Sequence, residues 1–187
     1  MKKMPTLFVR EFPDKQTVVL TAAVTPGCEW VLAGEGRATQ KVDGTCCLLR
    51  GGVLFKRYDA KHGKTPPPGF EPAQEEADPT TGHWPGWVPV DASDKWHLEA
   101  WARVNPSCED GTYELIGPKV QGNPEGWYRH ELWSHARMPT LADCPRSQEG
   151  LREYLRDFDV EGIVWQHPDG RMAKIKKSDF GMPRKPR

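Results

Sequence analysis

The chain has 187 residues, which suits one domain with a sizeable core, and its 26 basic residues balance its 26 acidic ones. Zero formal net charge excludes a basic field over the whole protein, so a polyanionic partner would have to be bound by a local patch. Residues 171–187 provide such a patch, because they contain seven lysines and arginines and one acid, Asp179.

The N-terminal segment and the cysteines indicate the compartment. Residues 1–4 lead into Pro5 without an apolar stretch of signal-peptide length, and no later segment approaches the length of a membrane span. Five cysteines without a C-x-x-C pair favour a reduced cytosolic chain and argue against a zinc finger. We predict a cytoplasmic protein with no membrane partner, and take a monomer as the starting expectation.

The first sixty residues predict an antiparallel sheet. A strand should carry Lys41 to a turn at Asp43-Gly44, and the residues after this turn suggest the second arm of a hairpin. Gly51-Gly52 indicates the turn of a second hairpin. Four segments have the composition of strands: 17–20, 29–32, 46–49 and 53–55.

Residues 61–90 differ sharply from the segments around them. They hold seven of the 18 prolines, including Pro66, Pro67 and Pro68, together with four glycines. Such a composition argues against a helix or a central strand. The sequence therefore predicts a long loop, and loops of this length are usually either functional or disordered.

The second half of the chain mixes helices and strands. Helical spacing over 94–104 has Asp94 as N-cap and Asn105-Pro106 as its stop. The clearest helix covers 147–158, where apolar residues recur at i, i+3, i+4 and i+7. Strands are expected at 112–116, 163–165 and 172–176. The pattern predicts an α+β fold built on an antiparallel sheet with a few helices.

Four short motifs follow one another along the chain. They are Lys41-Val42-Asp43-Gly44, Glu114-Leu115-Ile116-Gly117, Glu161-Gly162-Ile163-Val164 and Lys174-Ile175-Lys176. Each has an ordinary explanation alone: a lysine before a turn, an outward strand glutamate, a strand-end charge in solvent, and lysines that protect a sheet edge. Together they supply a nucleophilic amine, an acceptor for ribose hydroxyls, a metal carboxylate and lysines that neutralise phosphate. That combination is what a lysine-adenylylating nucleotidyltransferase needs.

The amine of Lys41 must be uncharged to attack. With an ordinary lysine pKa near 10.4, roughly 4 in 10,000 amines are neutral at pH 7, so deprotonation costs about 4.6 kcal/mol. Burial and nearby cations lower that cost. Lys174 and Lys176 alternate across Ile175, so on a strand they share one face, where they repel each other unless an anion lies between them.

The motif set resembles the covalent nucleotidyltransferase superfamily of ATP-dependent ligases and RNA capping enzymes. Within it, the likeness is closest to the small 5′–3′ RNA ligases whose vertebrate members are stand-alone RNA repair enzymes. The resemblance covers residues 35–181, and four segments carry it: Ala38 to Cys46, Gly86 to Val90, Glu114 to Asn123 and Glu161 to Trp165.

The resemblance implies a nucleotidyltransferase fold and a three-step reaction. Lys41 would take AMP from ATP, pass it to the 5′-phosphate of RNA, and a 3′-hydroxyl would then displace AMP to seal the strand. Lys174 and Lys176 would act as catalytic cations on the α-phosphate. Asp43 and Glu161 would hold Mg²⁺, or Mn²⁺, through water ligands.

The resemblance also implies the remaining nucleotide contacts. Glu114 would accept hydrogen bonds from the ribose, and Arg57 would touch the nucleotide or the RNA end. The backbone near Thr39 and Gln40 would face adenine. The partner would be RNA with 5′-phosphate and 3′-hydroxyl ends.

Several alternatives stay open at this point. A DNA nick ligase or a GTP-using capping enzyme would need the same motifs, and a catalytically silent homologue would keep only RNA binding. The family members are longer and many append a C-terminal domain, whereas 11 residues follow Lys176. We expect a single domain over 1–187 with a basic tail at 178–187. The six histidines show no metal-ligand spacing, and Cys46 and Cys47 are typical small strand residues.

Overall fold

The structure, a computed structural model, describes residues 2–14, 17–79, 81–104 and 108–183. The chain divides into two compact units. The central unit comprises Met1–Lys3 and Asp43–Met138, and the terminal unit comprises Met4–Val42 and Pro139–Arg187. The boundary between Val42 and Asp43 falls inside the first motif. A single domain over 1–187 stays a prediction.

Antiparallel strands dominate the described residues. In chain order the strands and α-helices are β1 (Phe8–Glu11), β2 (Val19–Val24), α1 (Glu29–Leu32), β3 (Arg37–Lys41), β4 (Thr45–Arg50), β5 (Val53–Ala60), β6 (Glu71–Pro72), β7 (Trp84–Pro89), α2 (Lys95–Trp101), β8 (Gly111–Ile116), β9 (Glu131–Ser134), α3 (Gln148–Asp157), β10 (Gly162–Gln166) and β11 (Met172–Lys176). Short 3₁₀ helices cover His135–Arg137 and Lys177–Phe180. Antiparallel sheets with few helices confirm the predicted α+β class. No helix in the described part of the chain is both long and apolar enough to cross a bilayer.

The terminal unit is built on a three-stranded sheet in the order β11, β10, β3, beside a β1–β2 pair. One face of this sheet is apolar, because Ile163, Trp165 and Ile175 are fully buried in the core of the unit. Helix α3 adds Leu151 and Leu155 to the same core, and each buried leucine contributes about 1.5–3 kcal/mol. This helix and the hairpin of β10 and β11 confirm the predictions for 147–158, 163–165 and 172–176.

The predicted strand at 29–32 is wrong, because these residues form the short helix α1. Local hydrogen bonds curl the chain here. The backbone N–H of Gly27 donates to the Glu29 carboxylate at 2.9 Å, and the indole N–H of Trp30 donates to the Gly27 carbonyl at 3.0 Å. Four residues carry too little periodicity to separate helix from strand, so the turn chemistry decided the outcome.

The central unit contains a six-stranded sheet in the order β6, β7, β5, β4, β8, β9. Its core gathers Cys47, Leu49, Tyr113 and Leu115 on one sheet face, covered by Ala100 of α2. The predicted Gly51-Gly52 turn is confirmed, since both glycines have positive φ and join β4 to β5. Helix α2 lies within the predicted 94–104. The proposed stop at Asn105-Pro106 lies outside the described residues.

The expected hairpin around Asp43-Gly44 is wrong. Strand β3 pairs with β10, whereas β4 pairs with β5 and β8, so the motif joins two different sheets. Gly44 is needed for close packing rather than for a hairpin turn. A Cβ there would lie 2.2 Å from the Leu115 carbonyl oxygen and 2.8 Å from Glu114 Cγ.

The prediction that all of 61–90 is a loop is wrong for the two-residue strand β6 and, at greater length, for Trp84–Pro89. This segment is β7, a mostly buried strand between β5 and β6. Pro85 is tolerated because β6 has only two residues and pairs with Gly86 and Trp87, while the Pro85 carbonyl accepts a hydrogen bond from Ala73 N at 2.9 Å. Of the predicted basic tail, residues 178–183 are described and 184–187 are not.

Candidate functional site

Three strands of the terminal unit bring the predicted catalytic lysines into register. Gly162 on β10 lies opposite Lys41 on β3 and opposite Lys176 on β11. Residues directly opposite each other across antiparallel strands point to the same face, so these three form one row. Lys174 lies two residues from Lys176 and therefore on the same face. Because Gly162 has no side chain, the strand between the two lysines of the row adds no bulk there.

Glu161, the predicted metal ligand, completes this cluster. Its Oε2 lies 2.5 Å from Lys41 Nζ, in an ion pair whose side chains are 22 % (Lys41) and 14 % (Glu161) exposed. The Glu161 carbonyl also accepts a hydrogen bond from Lys177 N, which holds the start of β10 against the end of β11. The amine of Lys41 is thus paired with a carboxylate, and it must lose its proton before it can act as a nucleophile.

The pKa of Lys174 shows that positive charges are crowded on this sheet face. Its pKa is lowered from 10.5 to about 8, first by burial. Neighbouring charges contribute as well: Lys41, Lys176 and Arg10 lower the pKa, while Glu161 raises it. Crowded cations that have lost part of their hydration favour a bound anion, because an anion relieves their mutual repulsion.

Arg10 is a member of the cluster that sequence reasoning missed. It lies on β1, and its Nη1 approaches Asp179 Oδ1 at 3.6 Å. Asp179 is nearly fully buried, and its Oδ2 accepts a hydrogen bond from the backbone N–H of Lys176 at 2.8 Å. One carboxylate therefore connects Arg10 to the end of β11. Arg10 stands outside every recognised motif, so no local signal could have found it.

Thr39 and Gln40, predicted near adenine, lie on β3 beside Lys41. The Thr39 hydroxyl is buried and donates to the Val164 carbonyl at 3.0 Å. The backbone N–H of Gln40 donates to the Pro139 carbonyl at 3.3 Å. The first bond joins β3 to β10, and the second joins β3 to Pro139, which lies outside the sheet. Adenine contact through this backbone stays a prediction.

In the central unit, Glu114 lies on the sheet face opposite the core. Its Oε2 is 2.9 Å from Nε2 of His135, whose Nδ1 is 2.9 Å from the Thr112 hydroxyl. Cys46 on β4 lies opposite Glu114 on β8. The predicted ribose acceptor is therefore already held by a histidine, a contact that sequence reasoning missed because 21 residues separate the pair.

Arg57 shares this sheet face. Its neighbour Lys56 lies opposite the core residue Cys47, so alternation directs Arg57 to the other side. The Arg57 guanidinium donates to Asp59 at 3.0 Å and lies over the Trp87 ring, 5.5 Å from its centroid. Asp43, the other predicted metal ligand, is half-buried at the start of the unit.

The Glu161 carboxylate has the donor chemistry for a metal ion that arrives with ligands of its own. Glu161 offers hard oxygen donors, but Lys41 already engages one of them. Mg²⁺ is commonly held by one or two carboxylates together with waters and substrate phosphates, not by an all-protein cage. Glu161 fits that pattern, and Asp43 offers the same donor chemistry.

Comparison with known proteins supports the resemblance. No family model matches the chain. Over 97 % of its length the chain is 27 % identical to RNA ligase 1 of Danio rerio and 28 % identical to RNA ligase 1 of Rattus norvegicus, and each alignment covers 81 % of the relative. RNA ligase 1 of Mus musculus is 26 % identical over the same share of this chain. These similarities confirm the resemblance to RNA ligases that the motifs predicted.

Proposed function

We propose that this protein is an ATP-dependent RNA ligase that seals 5′-phosphate and 3′-hydroxyl ends through a lysyl-AMP intermediate on Lys41. The observation that carries the proposal is the lysine row of the terminal unit, with Glu161 beside it. The similarity to proteins named RNA ligase 1 supports RNA as the substrate.

The first step is attack of the Lys41 amine on the α-phosphorus of ATP. A P–N bond forms, the bond to the pyrophosphate oxygen breaks, and pyrophosphate leaves. The proton of the Lys41 ammonium has to depart first, and its 2.5 Å contact with Glu161 Oε2 offers an acceptor on the way to water. In the second step an oxygen of the RNA 5′-phosphate attacks the same phosphorus, the P–N bond breaks and the Lys41 amine is regenerated. In the third step the 3′-hydroxyl loses its proton and attacks the 5′-phosphorus of the RNA, and AMP leaves as the phosphodiester forms.

Lys174 and Lys176 stabilise the charge that grows on the phosphate oxygens. Positioned cations provide much of the catalysis in nucleotidyl transfer, because negative charge grows on the phosphate oxygens as the Lys41 amine attacks. The lowered pKa of Lys174, about 8, still leaves it mainly cationic at pH 7. Arg10 adds a further positive charge to the same face.

The remaining assignments follow from the resemblance. Glu161 and Asp43 would hold Mg²⁺ or Mn²⁺, which supplies charge neutralisation when it is bound. Glu114 would accept hydrogen bonds from the ribose, which requires its carboxylate to exchange His135 for a hydroxyl group. Arg57 would contact the nucleotide or the RNA end.

Labelling with ATP tests the covalent step. The protein is incubated with ATP labelled at the α-phosphate and Mg²⁺, and the label on the chain is measured on a denaturing gel. We expect labelling of the natural protein and a loss of roughly 1,000-fold or more in Lys41→Ala. Lys61→Ala, an exposed lysine of the central unit, is the matched control. Label that persists in Lys41→Ala would contradict the proposal.

A chase separates the alternative activities. Labelled protein is mixed with nicked or single strands of RNA or DNA that carry 5′-phosphate and 3′-hydroxyl ends. Sealing of RNA supports the proposal, whereas sealing of DNA alone indicates a DNA nick ligase. Labelling by GTP in place of ATP indicates a capping-type enzyme. RNA binding without label or product indicates a silent homologue.

A further inference from the structure

Three potential metal ligands lie close together on the face of the central sheet that is opposite its core. They are Cys46 of β4, Glu114 of β8 and His135 of the 3₁₀ helix after β9. One donor atom from each residue lies within 4.8 Å of the other two, and all three residues are half-buried. The set has one sulfur, one nitrogen and one oxygen donor, so it is distinct from the hard carboxylates predicted for Mg²⁺.

The fold builds this cluster from fixed elements. Cys46 and Glu114 are partners across β4 and β8, so their side chains leave the sheet side by side. Thr112 lies two residues before Glu114 on the same face, and its hydroxyl is 2.9 Å from Nδ1 of His135. In metal sites the second ring nitrogen of a ligating histidine usually donates to an oxygen acceptor, which orients the ring. The Thr112 hydroxyl is placed to accept from Nδ1 in this way, which would leave Nε2 for the metal.

We propose that Cys46, Glu114 and His135 form a binding site for a borderline-soft divalent cation of the zinc class. Thiolate, imidazole and carboxylate together are ligands that zinc accepts, whereas Mg²⁺ avoids sulfur. In a tetrahedral site the nitrogen and oxygen donors lie about 3.3 Å apart. His135 Nε2 and Glu114 Oε2, now 2.9 Å apart, need to separate by only a few tenths of an ångström. Three protein ligands leave the fourth position open to water.

The site has a consequence for the reaction. A cation bound to Glu114 would occupy the carboxylate, which could then not accept hydrogen bonds from the ribose as the proposed function requires. Micromolar Zn²⁺ should therefore inhibit adenylylation reversibly, and a chelator should restore it. This consequence rests on the proposed function, whereas metal binding itself does not.

Cobalt absorption tests the site without any activity measurement. The reduced, chelator-treated full chain is titrated with Co²⁺, which gives a thiolate-to-cobalt absorption band only if a cysteine ligates. We expect a band that saturates at one equivalent and is displaced by Zn²⁺. Cys46→Ser should abolish the band, and His135→Gln should weaken binding about tenfold or more. Cys144→Ser is the matched control, because burial raises the pKa of the Cys144 thiol to about 11.

The result that overturns the proposal is the absence of a band, or a band that survives Cys46→Ser in a folded variant. A measurement on the natural chain covers the case of misfolded variants. Zn²⁺ should slow alkylation of Cys46 relative to the half-buried Cys108, as read by mass spectrometry, and equal rates would refute the site. A chain that binds Co²⁺ but takes no label from ATP would refute the ligase proposal and leave the metal site standing.

Discussion

The two units handle their charged groups in opposite ways. On the terminal sheet, Lys41, Lys174 and Lys176 crowd one face, and burial with mutual repulsion lowers the pKa of Lys174 to about 8. On the central sheet, the Glu114 carboxylate is hydrogen-bonded to His135, whose other ring nitrogen is hydrogen-bonded to the Thr112 hydroxyl. The first face has excess positive charge, so a bound anion would reduce the repulsion among its cations. The second is internally satisfied and must exchange a partner to bind anything. The contrast shows that, among the described residues, the terminal sheet carries unneutralised cations, whereas the polar groups of the central sheet face are paired with one another.

Among the variants that test this contrast, the largest effect is expected where the excess positive charge is reduced directly. Lys174→Met removes one cation from the terminal face and should lower the rate of adenylylation about 100-fold. The same variant should be more stable at pH 7 by up to about 3 kcal/mol, because the natural protein has to keep Lys174 protonated with a pKa near 8 instead of 10.5.

The pH dependence gives the sign of that stability difference. The unfolded chain binds one proton more than the folded chain between pH 8 and pH 10.5, so the natural protein gains stability over this range as pH rises. The advantage of Lys174→Met should therefore be full below pH 8 and vanish near pH 10.5. Urea unfolding at several pH values measures it, with the exposed Lys64→Met as control. A variant that is less stable at pH 7 would contradict the charge-crowding account.

The second prediction concerns the glycine in the lysine row. A Cβ at Gly162 would lie 2.1 Å from the Ile175 carbonyl oxygen and 2.9 Å from Lys176 Cα. Gly162→Ala should cost about 2–4 kcal/mol in unfolding free energy, because β10 and β11 must separate. Gly170→Ala, in the turn of the same hairpin, has φ of +90° and open space, and should cost only about 1–2 kcal/mol. Equal costs in denaturant titrations would show that close packing at Gly162 is unimportant.

A smaller effect is expected from the cation that the motifs did not include. Arg10→Met should reduce the rate of adenylylation about tenfold, equivalent to about 1.4 kcal/mol. The reason is that it removes a positive charge beside the lysines of the terminal sheet. It should also raise the pKa of Lys174, since Arg10 is among the groups that lower it. Arg152→Met, on α3, is the control. An unchanged rate together with reduced stability would limit Arg10 to a structural role with Asp179.

The smallest effect should come from His135 on the central sheet face. His135→Gln removes an imidazole but keeps a hydrogen-bonding side chain near Glu114, so the KM for ATP should change about three- to tenfold while kcat changes less. Glu114→Gln should act on KM much more strongly. Steady-state kinetics over ATP concentration separate the two. A kcat effect larger than the KM effect in His135→Gln would mean that the histidine takes part in the chemistry.

Sequence reasoning reached the secondary structure where periodicity was long and failed where it was short. Helix α3 follows from repeated apolar spacing, and strands β8, β10 and β11 follow from short segments of strand-like composition. The four residues of α1 and the proline-containing β7 do not, because local hydrogen bonds and a two-residue neighbour strand decided them. The Asp43-Gly44 pair predicts a hairpin turn, yet in the structure it joins strands of two different sheets. Pairing partners are set by tertiary packing, and a turn signal does not specify them.

By itself, the sequence determined the chemistry that is available: which lysines and carboxylates stand in recognisable motifs, and the α+β pattern that carries them. Alternation along a strand already placed Lys174 and Lys176 on one face, since that rule needs no partner strand. Only the tertiary structure decided that Gly162 lies between Lys41 and Lys176, that Arg10 joins them through Asp179, and that Cys46, Glu114 and His135 converge. Those relations depend on strand register and on contacts between residues far apart in the chain, and local patterns carry no information about either.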